Sequence, residues 1–249
     1  MADPWTALRR FTQARIALGR AGHALPTRAV LDFQLAHARA RDAVQLPWDP
    51  EAFAQEVRGL GAEPLVLETP VASRSEYLRR PDLGRVLTAA SRARLGNLKG
   101  DPAHVALIVS NGLSSTALDR HGIPLLREIV AGFRDRQLRL APMVLVANGR
   151  VALLDEIGSA LAVPVAVILV GERPGLSAAD SLGLYLGYAP RPGNTDAQRN
   201  CISNIRPPEG LGYRDAAEKL LRLTGEALRR GLSGVMLKDE TAGEIELRE

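Results

Sequence analysis

The side chains best placed to bind a polar ligand follow an apolar stretch in the middle of the sequence. Residues 163–170 are rich in β-branched side chains and stop at Gly171, which predicts a buried strand. Glu172 and Arg173 come next, so this strand delivers a carboxylate and a guanidinium onto a loop. Ligands bind at such loops in open α/β sheets. Glu172 is therefore a candidate ligand-binding residue, and a solvated ion pair with Arg173 or another arginine is the alternative.

The single cysteine, Cys201, limits the thiol chemistry that the chain can support. One cysteine forms no intramolecular disulfide, and one chain cannot build a thiolate metal cluster from it. A nucleophilic cysteine also needs a basic partner, and no histidine lies near Cys201 in the sequence. A buried thiol or a contact to a cofactor is the better interpretation.

The polar run at residues 110–115 follows the first predicted strand of the carboxyl-terminal part. It lacks the G-x-G-x-x-G fingerprint, and the chain has no Walker-type loop, which argues against NAD, FAD or ATP as the main ligand. Ser110 or Asn111 suits a loop whose amides face an anion at a helix start. A standalone phosphate-binding α/β hydrolase is therefore one alternative for the function.

Composition narrows the class of protein. Hydrophobic residues make up 46% of the 249 positions, but no apolar segment is long enough to span a membrane. Residues 1–19 lack the apolar block of a secretory signal, so we expect a soluble, cytoplasmic protein.

The charge is unevenly distributed along the chain. Residues 1–100 carry 15 Lys and Arg against 10 Asp and Glu, whereas the remainder carries 17 against 18. Interleaved acidic residues, 4% aromatic content and the lack of a known motif argue against nucleic-acid binding.

The elements that must position these residues fall into two predicted domains. Residues 1–100 read as a smaller, mainly helical domain, and glycines near residues 97–102 mark the boundary with a second domain at 101–249. In the first domain we predict helices at 10–18, 27–44, 50–60, 75–79 and 81–94, with an extended segment at 66–72.

The second domain alternates strands with helices. We predict strands at 105–109, 143–147, 163–170 and 182–188, helices ending near Phe133 and at 153–161 and 213–230, a loop at 199–207 and a short strand at 233–238. This alternation predicts an α/β fold with a Rossmann-like, mostly parallel sheet and helices on both faces.

A set of ordered motifs extends over almost the whole chain. They occupy residues 14–22, 25–28, 37–43, 77–84, 150–158, 171–176, 180–183, 199–207, 233–234 and 237–239. Together they resemble the small subunit of ethanolamine ammonia-lyase, an adenosylcobalamin-dependent enzyme. So many motifs in one order are far more specific than a single glycine-rich loop.

The resemblance implies a protein that is active only with a large subunit. The complete enzyme of that family converts ethanolamine to acetaldehyde and ammonia by radical chemistry that belongs to the cofactor. The substrate site lies on the large subunit, so we assign no catalytic residue to this chain. Its expected task is to cover, shield and orient the cobalamin, and some relatives are packaged in a bacterial microcompartment.

Three residues carry over from the family's motifs as cobalamin contacts, namely Val151, Glu172 and Cys201. Glu172 can accept hydrogen bonds from amides of the corrin rim, and the other two offer apolar surface; ordinary core packing is the alternative for those two. This chain departs from the family pattern at Leu154, where glycine is usual, and at Asn111, where aspartate is usual. Leucine tolerates fewer backbone conformations than glycine, so the loop that carries Val151 could be shifted.

Two further features have competing interpretations. His121 matches only the first half of an Asp-x-His-x-x-Gly cobalt-ligand motif, because Pro124 replaces the glycine, and we predict a surface helix residue instead of a ligand. In the run at residues 77–84, Arg79 and Arg80 could contact the large subunit or form a solvated helix end before Pro81.

Overall fold

The structure, a computed structural model, describes residues 4–98 and 102–238 and confirms the predicted α/β class. The strands described are β1 (Pro64–Leu67), β2 (Val105–Ser110), β3 (Met143–Val146), β4 (Val165–Gly171), β5 (Leu182–Tyr188) and β6 (Arg199–Ile205). The α-helices are α1 (Thr27–Gln45), α2 (Pro50–Arg58), α3 (Arg74–Arg79), α4 (Ala89–Gly96), α5 (Ser115–Asp135), α6 (Leu153–Ala160) and α7 (Tyr213–Arg230). Residues 239–249, and the centre of the predicted boundary at 99–101, lie outside the described residues.

The sheet is mixed, so the prediction of a Rossmann-like, mostly parallel sheet is not confirmed. Its strand order is β1-β3-β2-β4-β5-β6. The first four strands in that order run parallel, whereas β5 is antiparallel to both β4 and β6. The reason is the connection at residues 172–181, which contains no helix. A parallel return needs a crossover of about a dozen residues or more, usually a helix.

The first hundred residues contribute to this same sheet. Strand β1 pairs with β3 in parallel register, from Pro64 opposite Met143 to Leu67 opposite Val146. Helix α2 buries Phe53 and Val57 in the cluster that also contains β2 and β4 side chains. A mainly helical amino-terminal domain is therefore not confirmed, and the division near residue 100 stays a prediction.

Two apolar layers enclose the sheet. One face packs against α2, α5 and α7, with Phe133 and Leu220 fully buried there. The other face packs against α4 and α6, where Leu153, Leu154 and Ile157 cover Ala166 and Ile168 of β4. Parallel strands covered on both faces read as continuous apolar runs, which is why β2, β3 and β4 were predicted within two residues of their ends.

The α6 side of the sheet is left open at β6. Cys201 and Ser203 are exposed there, whereas Ile202 and Ile205 point to the opposite face and are buried. This strand corrects the predicted loop at 199–207.

Backbone conformation explains three other corrections. A 3₁₀ helix at Pro4–Phe11 replaces the predicted helix at 10–18, because Ala17 and Gly19 have the left-handed φ values of 52° and 78°. The predicted helix at 81–94 is divided into a 3₁₀ turn at Leu83–Arg85 and α4, with extended backbone at Val86.

The predicted strand at 233–238 is a 3₁₀ turn at Gly234–Met236, where Gly234 has a φ of 73°. This turn lies along β6. Asn200 Nδ2 donates to the carbonyl oxygens of Gly234 (3.2 Å) and Leu237 (2.7 Å), and the Gly234 amide donates to Asn200 Oδ1 at 2.7 Å.

Among the helices described, none combines the length and apolar character that crossing a bilayer requires.

Candidate functional site

Glu172 lies immediately after β4, where the chain turns into the antiparallel part of the sheet. Its Oε2 accepts hydrogen bonds from Ser181 Oγ (2.7 Å) and from the amide of Asn204 (3.2 Å). Its Oε1 accepts from Ser203 Oγ at 2.5 Å. A carboxylate has about four acceptor positions, so three bonds orient the group and leave acceptor capacity for a ligand.

A glycine makes room for this carboxylate. A Cβ atom at Gly183 would lie 2.9 Å from Glu172 Oε1, which is closer than side-chain carbons approach. Gly183 faces Val170 in the β4–β5 register, so the Glu172 side chain folds back over the start of β5. A side chain at residue 183 would therefore displace the carboxylate from this orientation.

Cys201 lies on β6 directly opposite Tyr185 of β5. The residue is exposed, but surrounding protein desolvates its thiol enough to raise the pKa, an effect that the hydrogen bond with Tyr185 partly offsets and the charge of Glu172 reinforces. Burial likewise raises the pKa of the Tyr185 hydroxyl. The thiol is protonated at neutral pH, which fits a contact surface better than a nucleophile.

Val151 lies in the turn before α6 and is partly buried. It packs against the same apolar cluster as Tyr185 and the inward side of α6. Leu154, the departure from glycine, is fully buried one turn later. Its Cδ1 would lie 3.0 Å from a Cβ at Gly187, so a glycine on β5 accommodates the larger side chain.

The structure thus brings the predicted residues to one side of the sheet, the side that α6 covers. Ser203 connects Glu172 to the strand of Cys201, two residues away and on the same face. Sequence reasoning missed Ser181, Tyr185 and Ser203, which support this side. Ile202 and Ile205 are three positions apart, because the register opposite Leu182 and Leu184 is irregular, so residues 201–205 lack the strict alternation that could have revealed β6.

Comparison with known proteins identifies the group to which the chain is related. A family model described as ethanolamine ammonia-lyase light chain (EutC) matches residues 2–238. The small subunit of ethanolamine ammonia-lyase from Ralstonia nicotianae is 54% identical over 252 residues, covering 99% of this chain and 92% of the relative. Those from Azotobacter vinelandii and Rhodococcus erythropolis are 54% and 51% identical, covering 96% and 95% of this chain and 89% and 90% of the relatives.

The chain belongs to the ethanolamine ammonia-lyase light-chain family. This confirms the resemblance inferred from the motifs. The family match gives no support to the alternative of a standalone hydrolase.

The light-chain motif at residues 77–84 packs against the loop that carries Val151. The amide of Arg150 donates to the carbonyl oxygen of Gly84 at 2.7 Å, and Tyr77 OH donates to the carbonyl oxygen of Gly149 at 3.0 Å. The Arg150 guanidinium lies 4.1 Å from the ring centroid of Tyr77. Part of this motif therefore has a positioning role within the chain.

The two arginines of the motif are exposed. Arg80 forms a two-point ion pair with Asp82, with N–O distances of 3.0 and 2.7 Å, and Arg79 Nε donates to the carbonyl oxygen of Ser75. Contact with the large subunit stays a prediction for both.

His121 lies in α5 as predicted, but it is buried, not on the surface. Its Nδ1 is 2.7 Å from Tyr213 OH, and its Nε2 is 3.6 Å from Asp180 Oδ2. Burial lowers the pKa of the imidazole, and the Asp180 carboxylate acts in the opposite direction. Contacts with α7 bury the residue. The pairing of α5 with α7 cannot be read from local sequence, so the prediction missed this burial.

The predicted anion loop at residues 110–115 uses its polar side chains internally. Ser110 Oγ accepts from the Gly149 amide at 2.8 Å, and Asn111 Oδ1 accepts from the Asn148 amide at 2.7 Å. Asn111 Nδ2 also donates to Ser115 Oγ at 3.1 Å. An ionised aspartate could not make that last donation, so the neutral amide suits this buried position.

Proposed function

We propose that this chain is the small subunit of ethanolamine ammonia-lyase and that it forms, with a large subunit, the adenosylcobalamin enzyme that converts ethanolamine to acetaldehyde and ammonia. The observation that carries the proposal is the family match over residues 2–238. The site adds support, because the residues expected to contact cobalamin occupy one side of one sheet.

The residues present fit a corrin cofactor chemically. A corrin combines a broad apolar face with a rim of amides. Glu172 offers an oriented carboxylate acceptor, and Cys201 offers a protonated thiol beside the Tyr185 ring. The Nε of Arg150, next to Val151, is a buried donor without a hydrogen-bond partner among the described residues. An unsatisfied donor of this kind is expected where a ligand completes the site.

The task of this chain is to bind and orient the cofactor. Adenosylcobalamin, when bound, supplies the radical chemistry of the reaction. In this chain Glu172 accepts amide hydrogen bonds, while Val151 and Cys201 give apolar contact and keep water from that side. The substrate ethanolamine is held by the large subunit, and we assign no catalytic residue to this chain.

Reconstitution tests this function. Ethanolamine deamination is measured with added adenosylcobalamin for this chain alone, for the large subunit from the same genome alone and for their mixture. We expect acetaldehyde only from the mixture.

Two outcomes would contradict the proposal in different ways. An inactive mixture that still binds cobalamin would mean that the substrate is wrong, whereas the lack of both complex formation and cobalamin binding would refute the assignment as a whole. Cytoplasmic localisation and packaging in a microcompartment stay predictions, which fractionation of the native host would test.

A further inference from the structure

Two arginines lie over the ring of one buried tyrosine near the proposed cofactor site. The guanidinium carbons of Arg74 and Arg150 are 4.8 and 4.1 Å from the ring centroid of Tyr77, which is fully buried. Each contact is a favourable cation–π interaction. Together they concentrate two positive charges in a small, half-buried volume.

No carboxylate within the described residues forms an ion pair with either guanidinium, and their hydrogen-bond acceptors are neutral oxygens. Arg74 donates to the carbonyl oxygens of Val44 (2.6 Å) and Gly112 (2.7 Å) and to Asn148 Oδ1 (2.9 Å). Arg150 donates to the carbonyl oxygen of Tyr77 at 3.2 Å. One nitrogen of each guanidinium, Nη2 of Arg74 and Nε of Arg150, is buried without any hydrogen-bond partner.

Elsewhere the chain pairs its buried arginines with acids. Arg199, with 5% side-chain exposure, bonds to Asp155 and Asp196, and Arg206, with 9%, lies 3.5 Å from Glu209. A charged group removed from water without a countercharge is costly, because burial penalises the charged form. The arginines beside Tyr77 are partly buried and have no countercharge among the described residues, so an anion from outside would stabilise them.

Neighbouring contacts hold the backbone of Arg150, which is adjacent to Val151 in the chain. Its amide is bonded to Gly84, and a Cβ at Gly84 would lie 3.0 Å from Arg150 Cγ. The backbone thus fixes the arginine one residue away from a proposed corrin contact. An anion bound there would lie close to the group that Val151 is proposed to contact.

We infer that Arg74 and Arg150, stacked on Tyr77, bind the phosphodiester of the cofactor's nucleotide tail. The planar guanidinium fork matches phosphate oxygens in geometry and charge. Arg150 supplies the direct contact, while Arg74 raises the local positive potential and fixes Tyr77. This inference rests on the proposed function.

The test compares ligands with and without the phosphate, in the assembled complex with the large subunit. Equilibrium binding of adenosylcobalamin, adenosylcobinamide phosphate and adenosylcobinamide is followed by visible absorption. Arg150→Gln is expected to weaken binding of the first two ligands about tenfold, the scale of a charged hydrogen bond. Binding of adenosylcobinamide, which has no phosphate, is expected to change less than about twofold. Arg150→Lys keeps the charge without the fork and is expected to give an intermediate loss.

Arg229→Gln is the matched control, because it removes the same charge from an exposed position on α7, at the opposite face of the sheet. Thermal unfolding and subunit assembly are measured for every variant, and Arg150→Lys serves if Arg150→Gln does not fold. Equal losses for all three ligands, or no loss for any, would overturn the inference. Weaker subunit assembly without cofactor would also overturn it, in favour of a carboxylate on the partner. If the wild-type complex binds none of the ligands, the proposed function itself fails.

Discussion

Glu172 illustrates how much of the site is decided by single side chains. A carboxylate on an open loop samples many orientations, but this one is fixed by two serine hydroxyls and a backbone amide. Ordering the acceptor in advance reduces the entropy that binding must overcome. Serine hydroxyls therefore matter here without contacting a ligand themselves.

Replacing the carboxylate should weaken cofactor binding. We expect Glu172→Gln to lower the affinity of the assembled complex for adenosylcobalamin about tenfold, because a charged acceptor becomes a neutral one. Ser203→Ala should cause a smaller loss, since it frees the carboxylate without removing it. The dissociation constant is measured by absorption titration. Glu218→Gln, an exposed change on α7, is the control, and an effect of that control as large as that of Glu172→Gln would refute a specific contact.

The thiol of Cys201 provides a second residue-level prediction. Burial raises its pKa, so less thiolate is present at neutral pH and alkylation should be slower than in the unfolded chain. The alkylation rate should keep rising with pH beyond the range where an ordinary cysteine has already ionised. Saturating adenosylcobalamin should slow it further by covering the sulphur. Mass spectrometry of the peptide that contains residue 201 measures the rate.

An introduced cysteine controls for effects on the reagent. In a Cys201→Ser/Ala131→Cys variant, the new thiol lies on the exposed side of α5 and should react at the same rate with and without cofactor. Equal rates at Cys201 with and without cofactor would contradict the proposed contact.

At this scale the sequence allowed contacts to be predicted only at residues that motifs mark, and it missed the residues that tertiary pairing brings to the site. Val151, Glu172 and Cys201 each sit in a local pattern. Ser203 reaches Glu172 only because β6 returns beside β4 through β5, and no local pattern encodes that approach. Burial of His121 was missed for the same reason.

Among the elements, the run at residues 77–84 holds the Val151 loop by close approach of backbone. A Cβ at Gly84 would lie 2.8 Å from the carbonyl oxygen of Asn148 and 3.0 Å from the Tyr77 ring. We expect Gly84→Ala to lower the free energy of unfolding by about 1–3 kcal/mol, as overpacking does. Urea denaturation measures the change.

Another glycine offers a matched comparison. Gly225 lies inside α7 and would place its Cβ in open space, so Gly225→Ala should be neutral or stabilise by up to about 1 kcal/mol. A Gly84→Ala variant as stable as Gly225→Ala would show that the loop yields easily and that the motif does not fix it.

Element prediction succeeded where one physical signal dominated. The predicted bounds of β2, β4 and α7 were nearly correct. Burial on both faces gives a strand a continuous apolar run, and burial of one stripe gives a helix a regular spacing of apolar residues. These patterns do not indicate whether neighbouring strands run parallel or antiparallel. The antiparallel return of β5 depends on the short connection at 172–181, whose length was the clue.

At the scale of the whole molecule, the predicted division near residue 100 can be tested by asking whether residues 101–249 fold without the first hundred residues. Fragment 101–249 would expose the edge of β3 and lose the buried side chains of α2. We expect its Tm to fall by about 10 °C or more relative to the full chain, given the apolar area lost. Thermal circular dichroism of the fragment decides the matter, since cooperative unfolding at the full-chain Tm would support two separate domains.

The turn at Gly234–Met236 has a consequence for solubility. Strand β6 is an edge of the sheet, and unpaired edge strands are templates for pairing with other chains. Asn200 and this turn cover the start of that edge, so we expect residues 233–238 to limit the pairing of β6 with other chains. A chain that ends at Leu232 should form oligomers that light scattering detects, whereas one that ends at Lys238 should stay monodisperse. Equal scattering from both chains would mean that this turn does not protect β6 from pairing.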